Sequence, residues 1–308
     1  MMYRAPPSDG VTGKKKGLLS QAVSRARLFL KAPLVFTGVL LYSALAFIPF
    51  LGRWIVNRVV SNLLPKVMGQ TDKLTRSIRA ELLKTISGKV LDFGAGSGIY
   101  MKYCFPPYTK TATEVTKYVA LEPNRRLHSH IQKTFDDIRE NKAVLVGDAD
   151  GRTAPDAAVD NKQWNDHVDI SNKANDVLEI AGEFLSDLKV RLHAQPTFDW
   201  IILGNVLCEV PDPPSILRDL DSLLKPGGFV FFSEHVGYRP ANSWRRWRQN
   251  LVAPWWRRVS DGCQCNRDTM HTISRAVPNW AVHSFEFDSC GVMPWNALFQ
   301  IGLAKKIA

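Results

Sequence analysis

The sequence predicts a doubly wound α/β fold, a mostly parallel sheet with helices on both faces. Three observations carry this reading. A short apolar run, Val90-Leu91-Asp92-Phe93, breaks into glycines at alternate positions, Gly94, Gly96 and Gly98. A second run, Tyr118 to Leu121, ends in the acid Glu122. A third, Phe198 to Leu203, precedes the turn Lys225-Pro226-Gly227-Gly228 and a further apolar run, FVFFSEHV. Short continuous apolar runs bounded by turn residues are the mark of strands buried on both faces.

The elements follow in chain order. Residues 1–31 form a basic tail with seven Lys/Arg against one Asp. Ala32 to Leu51 is a run of twenty residues without a charge, the length of a helix that crosses a bilayer. Basic residues flank it on both sides, Arg25, Arg27 and Lys31 before and Arg53 and Arg58 after, so charge does not set its orientation. We read it as a membrane anchor. A buried core helix is the alternative, and Gly38 and Pro49 also permit a bent segment that enters one leaflet and returns. Across 52–88, Trp54, Ile55, Val59, Leu63, Leu64, Leu74, Ile78, Leu82 and Leu83 recur at helical spacing. This predicts an amphipathic helical linker of one or two helices, with Lys73, Arg76 and Arg79 on a solvated face. The α/β domain then occupies 89–308.

Within that domain, Lys89 to Phe93 is the first strand and Tyr118 to Leu121 the second. Ala143 to Val146 is read as the third, Phe198 to Leu203 as the fourth, and the run after Gly227-Gly228 as the fifth. A polar insertion is placed at about 150–197, longer than loops in compact domains usually are. Extra sequence also lies around Pro106-Pro107 to Thr113.

The formal net charge of +11 is concentrated in two places. The tail 1–31 carries +6, and 241–258 carries five Arg and no acid, so the remainder is neutral. Five cysteines, odd in number and irregularly spaced, exclude a secreted disulfide scaffold. Cys263 and Cys265 in GCQC, with His271 nearby, are spaced too tightly for a usual zinc site, and no second pair follows. No metal is expected.

The glycine turn implies a ligand approached closely by backbone. A dinucleotide fingerprint spaces its glycines G-x-G-x-x-G, but here the third comes one residue early. Asp92 is also a poor neighbour for pyrophosphate. A cofactor without phosphates tolerates that acid, and a cationic one favours it. Glu122, at the end of the second strand, is placed to accept both ribose hydroxyls.

LDFGAGSG, LEPN, GDA, FDWIILGNVL and LKPGG occur in this order, and together they resemble a class I, Rossmann-like, S-adenosylmethionine-dependent methyltransferase. The resemblance implies a seven-stranded sheet and S-adenosyl-L-methionine as cofactor. It implies a cofactor site of Asp92, Gly94, Ala95, Gly96, Gly98, Glu122, Pro123, Asn124, Asp148, Ala149, Asn205 and Val206, with Asp148 toward the adenine amino group. The C-terminal third is similar to the methyltransferase-like protein 7 family, membrane-anchored thiol methyltransferases. The matching marks are Glu234-His235-Val236, Trp244, the APWW segment, Asp261-Gly262-Cys263, NVLCEV with Cys208, and the closing IGLAKK preceded by Trp295. This implies a small or lipophilic thiol as acceptor, and residence on endoplasmic reticulum membrane and lipid droplets.

A thiol reacts as its thiolate, which exists to a small extent at neutral pH, so a base assists without being obligatory. His235, after the fifth strand, is the first candidate base and Asp261 the second. Structural packing and a turn or helix cap are their alternatives. Cys208 is read as lining the pocket. SWRRWRQNLVAPWWRR places four of the nine tryptophans among five arginines. That mixture suits a membrane interface with anionic headgroups better than it suits nucleic acid, given the apolar run elsewhere. The tryptophans could also lid a hydrophobic pocket. Two other readings stand beside the thiol one: methylation of a quinone or other lipid at carbon or oxygen, and a non-catalytic membrane-surface protein that keeps the fold.

Overall fold

The computed structural model describes residues 37–38, 40–48, 51–105, 115–140, 177–288 and 298–307. The chain divides into two units, Met1–Gly52 and Arg53–Ala308. In the first, residues 40–46 are helical. No helix among the described residues is long and apolar enough to cross a membrane. Of the expected anchor Ala32–Leu51, residues 32–36, 39, 49 and 50 lie outside the described residues.

The second unit is built on the predicted sheet. Its strands are β1 (Gly88–Phe93), β2 (Val115–Leu121), β3 (Leu178–Ala181), β4 (Phe198–Gly204), β5 (Leu224–His235), β6 (Trp280–Asp288) and β7 (Leu298–Lys306). They lie in the order β3-β2-β1-β4-β5-β7-β6. All neighbours are parallel except β7, which runs antiparallel to both β5 and β6. The helices are α1 (Leu51–Leu83), α2 (His128–Arg139), α3 (Leu185–Arg191), α4 (Pro213–Leu223), α5 (Trp244–Val259) and α6 (Thr269–Ala276).

The apolar strands split their side chains between two cores, as the two-residue period of a strand dictates. Leu91, Phe93, Ile201, Leu203, Val230 and Phe232 face one core, which α4 closes with Leu217, Leu220 and Leu223. Val90, Tyr118, Ala120, Trp200, Ile202 and Phe231 face the other, closed by Ile131 and Phe135 of α2. Both faces are therefore covered, the condition under which a parallel sheet is stable.

Strand order reverses between β1 and β4, so their C-terminal ends open a crevice where ligands of such sheets bind. The register sets Asp92 beside Ile202 and Phe93 beside Leu203, so the loops after β1 and β4 leave the sheet at one level.

Two expectations are corrected. The strand beside β2 is Leu178–Ala181, from within the segment read as insertion. Residues 143–149, where the third strand, Asp148 and Ala149 were placed, lie outside the described residues. The second correction concerns α1. Arg79, assigned to a solvated face, is fully buried. Its guanidinium bonds Asp72, 3.1 Å away and two helical turns earlier, and lies 4.6 Å from the Tyr100 ring centre. Lys73 is exposed as expected. From Arg53 onward α1 is part of the unit that holds the sheet.

Candidate active site

Backbone geometry builds the first part of the site. The chain leaves β1 through Gly94 and Gly96, both at positive φ, +70° and +57°. A side chain at Gly94 would meet Val206 Cγ2 at 2.6 Å, so this position also brings the loops after β1 and β4 together. The amides of Gly94 and Ala95 both donate to Leu121 O, and Gly98 donates to Ala95 O. The loop is thereby tied to the end of β2.

Glu122 completes that tie. Its carboxylate accepts from the Gly96 amide through one oxygen and from the Asn124 amide through the other, each at 2.8 Å. Burial pushes its pKa up, and those two amides pull it back. Each oxygen keeps a lone pair for a further donor. Asn124 continues the chain of contacts, since its Oδ1 accepts from the Arg126 amide and its Nδ2 donates to Ser61 of α1 at 2.9 Å. Pro123 is exposed. His128 Nε2 lies 2.7 Å from Glu122 O and fixes the backbone there.

Asp92 sits at the floor, fully buried. One of its oxygens accepts from the Tyr118 hydroxyl at 2.6 Å, and the other has no partner. Burial raises its pKa to about 7, against the Tyr118 hydrogen bond and with a smaller push from Glu122. Across the crevice, Asn205 ends β4 in the left-handed conformation, φ +59°. Its amide donates to Ser233 O and its Nδ2 contacts Met68 Sδ of α1 at 3.8 Å, while its buried Oδ1 has no partner. Such strain in a non-glycine residue collects at functional sites.

The turn that follows is held by Glu234, which sequence reasoning marked only as part of a motif. It is fully buried on β5 and accepts from the amides of Val206, Leu207 and Cys208 at 3.0–3.3 Å. Burial lifts its pKa to about 7, against those three donors.

That turn delivers Cys208 to a third group. His235, the last residue of β5, lies against Phe299 with ring centres 4.4 Å apart. Its Nδ1 is 3.9 Å from Cys208 Sγ and 3.6 Å from Cys263 Sγ, and the two sulfurs are 3.4 Å apart. All three side chains are buried. The contact between the two sulfurs holds the Cys263 thiol well below its ordinary range, with His235 adding to the effect. Burial opposes charge on His235, but the Cys263 sulfur and the Glu234 carboxylate together raise the histidine's pKa. The first candidate base is therefore joined to two thiols. Asp261, the second, is exposed at φ +56°, with Arg53 and Asn57 of α1 beside its carboxylate.

The crevice fits S-adenosylmethionine. Two buried acceptors without partners, on Asp92 and Asn205, and the free lone pairs of Glu122 suit a cationic ligand rich in donors. At Gly94 a side chain is blocked by Val206, and Gly94, Gly96 and Gly98 all hold positive φ, so the loop presents backbone. Strand β3 ends beside Glu122, whose amide donates to Ala181 O.

Comparison with known proteins agrees with this geometry. A family profile described as a methyltransferase domain matches residues 68–279, more than half of the chain. Thiol S-methyltransferase TMT1B of Rattus norvegicus is 35% identical over 83 residues, 27% of this chain and 34% of that protein. Thiol S-methyltransferase TMT1A of Homo sapiens is 32% identical over 83 residues, 27% and 34% of the two chains. A ubiquinone biosynthesis O-methyltransferase of Bordetella bronchiseptica is 30% identical over 113 residues, 33% of this chain and 46% of that one. The match thus spans between a third and a half of the length of these relatives. The solved complex between the Haloferax volcanii Trm112 methyltransferase activator and a methyltransferase contains a chain with the same fold. Its TM-score is 0.51 at 11% identity, over 82% of this chain and 98% of that one.

Proposed function

The chain belongs to the methyltransferase-domain family, and from that premise we propose that it methylates the sulfur of a small or lipophilic thiol at a membrane surface. Its cofactor is S-adenosylmethionine, which supplies an electrophilic methyl group on a sulfonium. Glu122 would hold the ribose hydroxyls, Gly94 to Gly98 the backbone-facing edge, and Asp92 and Asn205 the cationic and donor groups. Asp92 and Glu122 place negative charge where a cationic ligand is bound, and Glu234 fixes the turn that closes the crevice from β4.

The observation that carries the thiol is the stretch shared with thiol S-methyltransferases. The site is consistent with such an acceptor. A thiol needs little help to ionise near neutral pH, whereas an alcohol would need a strong, exposed base close by. The histidine in the crevice region is instead engaged with two sulfurs. A second reading, methylation of a quinone or lipid at oxygen or carbon, draws on the likeness to the ubiquinone enzyme.

Membrane residence draws on α5. Trp244, Trp247 and Leu251, on one helical face, are 66%, 53% and 66% exposed, and the two indoles stack with centres 4.5 Å apart. Arg245, Arg246 and Arg248 stand between and beside them. Exposed indoles rimmed by guanidinium groups suit an interface of acyl chains and anionic headgroups. Leu40, Leu41, Phe47 and Ile48 of the N-terminal unit are likewise exposed. Endoplasmic reticulum membrane and lipid droplets are the proposed locations.

The test is methyl transfer from isotopically labelled S-adenosylmethionine by detergent-solubilised full-length protein, offered alkyl and aryl thiols beside lipid phenols. Label on a thiol, absent with Glu122→Ala, supports the reading. Label on a phenol alone would replace it with the second.

A further inference from the structure

We propose that Cys208, His235 and Cys263 bind one divalent zinc-class cation, and that its fourth coordination position takes the sulfur of the acceptor thiol.

The three ligand atoms come from three separate elements: the turn after β4, the end of β5 and the loop after α5. They lie within 4.8 Å of one another and all three residues are buried. A tetrahedral zinc with sulfur at ~2.3 Å and imidazole nitrogen at ~2.0–2.1 Å sets two sulfurs about 3.8 Å apart and sulfur and nitrogen about 3.6 Å apart. The observed edges are 3.4 Å between the sulfurs and 3.6 Å and 3.9 Å to the nitrogen. Both cysteines are free thiols. The charge balance agrees, because two thiolates and a neutral imidazole neutralise a dication in a buried place where an unpaired charge would be costly.

The surroundings hold the three ligands in place. Glu234 pins the Cys208 amide, so the turn cannot swing away. The Cys208 carbonyl accepts from the Gln264 amide, linking the turn directly to the loop of Cys263. Phe299 backs the imidazole, and Trp256 packs against the cysteines.

The ligand count identifies the role. Sites that only stabilise a fold close zinc with four protein ligands, whereas sites that act on a substrate use three and keep one position open. Among the described residues this group has three. Thiolate is a soft donor suited to that position. An acceptor thiol taking that position would give up its S–H proton to solvent and keep a sulfur lone pair for the methyl group. The site is close to the proposed cofactor crevice, since Cys208 Sγ donates to Asn205 O at 3.3 Å. The metal half stands alone. The acceptor half deepens the thiol reading above and rests on it.

The experiment uses full-length protein purified in detergent under reducing conditions without chelator. Elemental analysis is expected to find about one zinc per chain, reduced at least tenfold in Cys263→Ser and Cys208→Ser. Replacing zinc with cobalt should give a sulfur-to-cobalt charge-transfer band and tetrahedral d–d absorption in the wild type, with the band lost in the variants. S-adenosylmethionine binding measured in parallel shows that a variant is folded. Wild-type cobalt spectra keep the proposal testable if a variant is not. Wild type that holds no zinc and takes up no cobalt overturns the site, as does metal retained undiminished in a folded Cys263→Ser protein, or a Cys208–Cys263 disulfide in the reduced preparation. An alkyl thiol should shift the cobalt spectrum saturably, and an alcohol of the same chain length should not. Methylation of a thiol that leaves the cobalt spectrum unmoved overturns the acceptor half while the proposed function stands. Metal bound with no thiol methylated leaves the site standing and removes that function.

Discussion

Glu122→Gln tests the cofactor site at its most constrained residue. The carboxylate now accepts from two backbone amides, Gly96 and Asn124, one at each oxygen and each at 2.8 Å. A glutamine has one acceptor oxygen, so it can satisfy only one of them, and its NH2 group must face the other N–H. The variant therefore loses at least one hydrogen bond to a charged acceptor inside the protein, and it changes an acceptor that a ribose hydroxyl would use. Hydrogen bonds to charged groups contribute about 1.5–3 kcal/mol each. One such bond lost from the complex weakens the cofactor about 10- to 150-fold. Because the ribose is common to both molecules, S-adenosylmethionine and S-adenosylhomocysteine should weaken by the same factor. Isothermal titration with solubilised full-length protein reads both constants. In turnover the loss should fall on the cofactor's KM, with kcat at saturation nearly unchanged, the pattern of a contact made equally in ground and transition state. Unchanged affinity would refute the ribose assignment. A loss confined to the sulfonium ligand would refute it too, because the carboxylate would then be sensing charge at sulfur.

Asp92 gives a pH prediction. Its folded-state pKa of about 7 stands above the ordinary 3.8, so its contribution to stability is present at low pH and is lost as pH rises through about 7. Cofactor-free protein should thus melt lower at about pH 8 than at about pH 6, and Asp92→Asn should flatten part of that slope. Glu234, also raised to about 7, keeps the remainder. Over the same window the affinity for the cationic cofactor should rise more than that for its neutral product, as titration at several pH values would show. Arg79→Met breaks a pair whose side chains are 0% and 2% exposed. Asp72 keeps Lys102 and Tyr103 as partners, so the cost should sit at the low end for a broken buried pair, about 3 kcal/mol by denaturant titration. Trp244→Ser with Trp247→Ser should leave cofactor affinity unchanged and cut flotation with anionic vesicles at least fivefold. Equal flotation would remove α5 from the membrane surface.

How legible the fold was depended on burial. β1, β4 and the heart of β5 are covered on both faces, so their sequences are continuous apolar runs that need no context. β3 lies at one edge of the sheet, and three of its four residues are only half-buried. Leu178-Glu179-Ile180-Ala181 therefore reads as amphipathic, and Glu179 serves ion pairs with Lys117 and Arg191 rather than a core. AVLV at 143–146, outside the described residues, has the stronger strand composition. β6, at the other edge and mostly exposed, gave no usable signal at all. The tie between the glycine loop and Glu122 joins two segments that the sequence marks by residue type, a run of glycines after one strand and an acid at the end of the next. The Cys208–His235–Cys263 group is not marked in this way. Its members are 27 and 28 residues apart, and only the sheet's crossover brings them within reach.

α1 shows where hydrophobic periodicity misleads in a way that bears on function. Its apolar spacing predicts a helix, and the same rule sends its charged residues to water. Yet Ser61, Thr71, Asp72, Thr75 and Arg79 are buried alongside Val56 and Leu83, so the face turned inward carries polar groups among its apolar ones. Its contacts run along the crevice: Ser61 with Asn124, Met68 with Asn205, Asp72 with Lys102 and Tyr103, and Arg79 with Tyr100. Asn124 and Asn205 belong to the proposed cofactor site, and the other three partners follow directly on the glycine loop. An apolar interface would bury this helix equally well and tolerate sliding by a fraction of a turn. Hydrogen bonds and a buried ion pair fix one register, because any other leaves donors and a charge unpaired in a dry place. The helix thereby ties the loops after β1, β2 and β4 to one rigid element. A sequence rule that sends Arg and Asp to solvent misses such a helix whenever its task is to position polar loops.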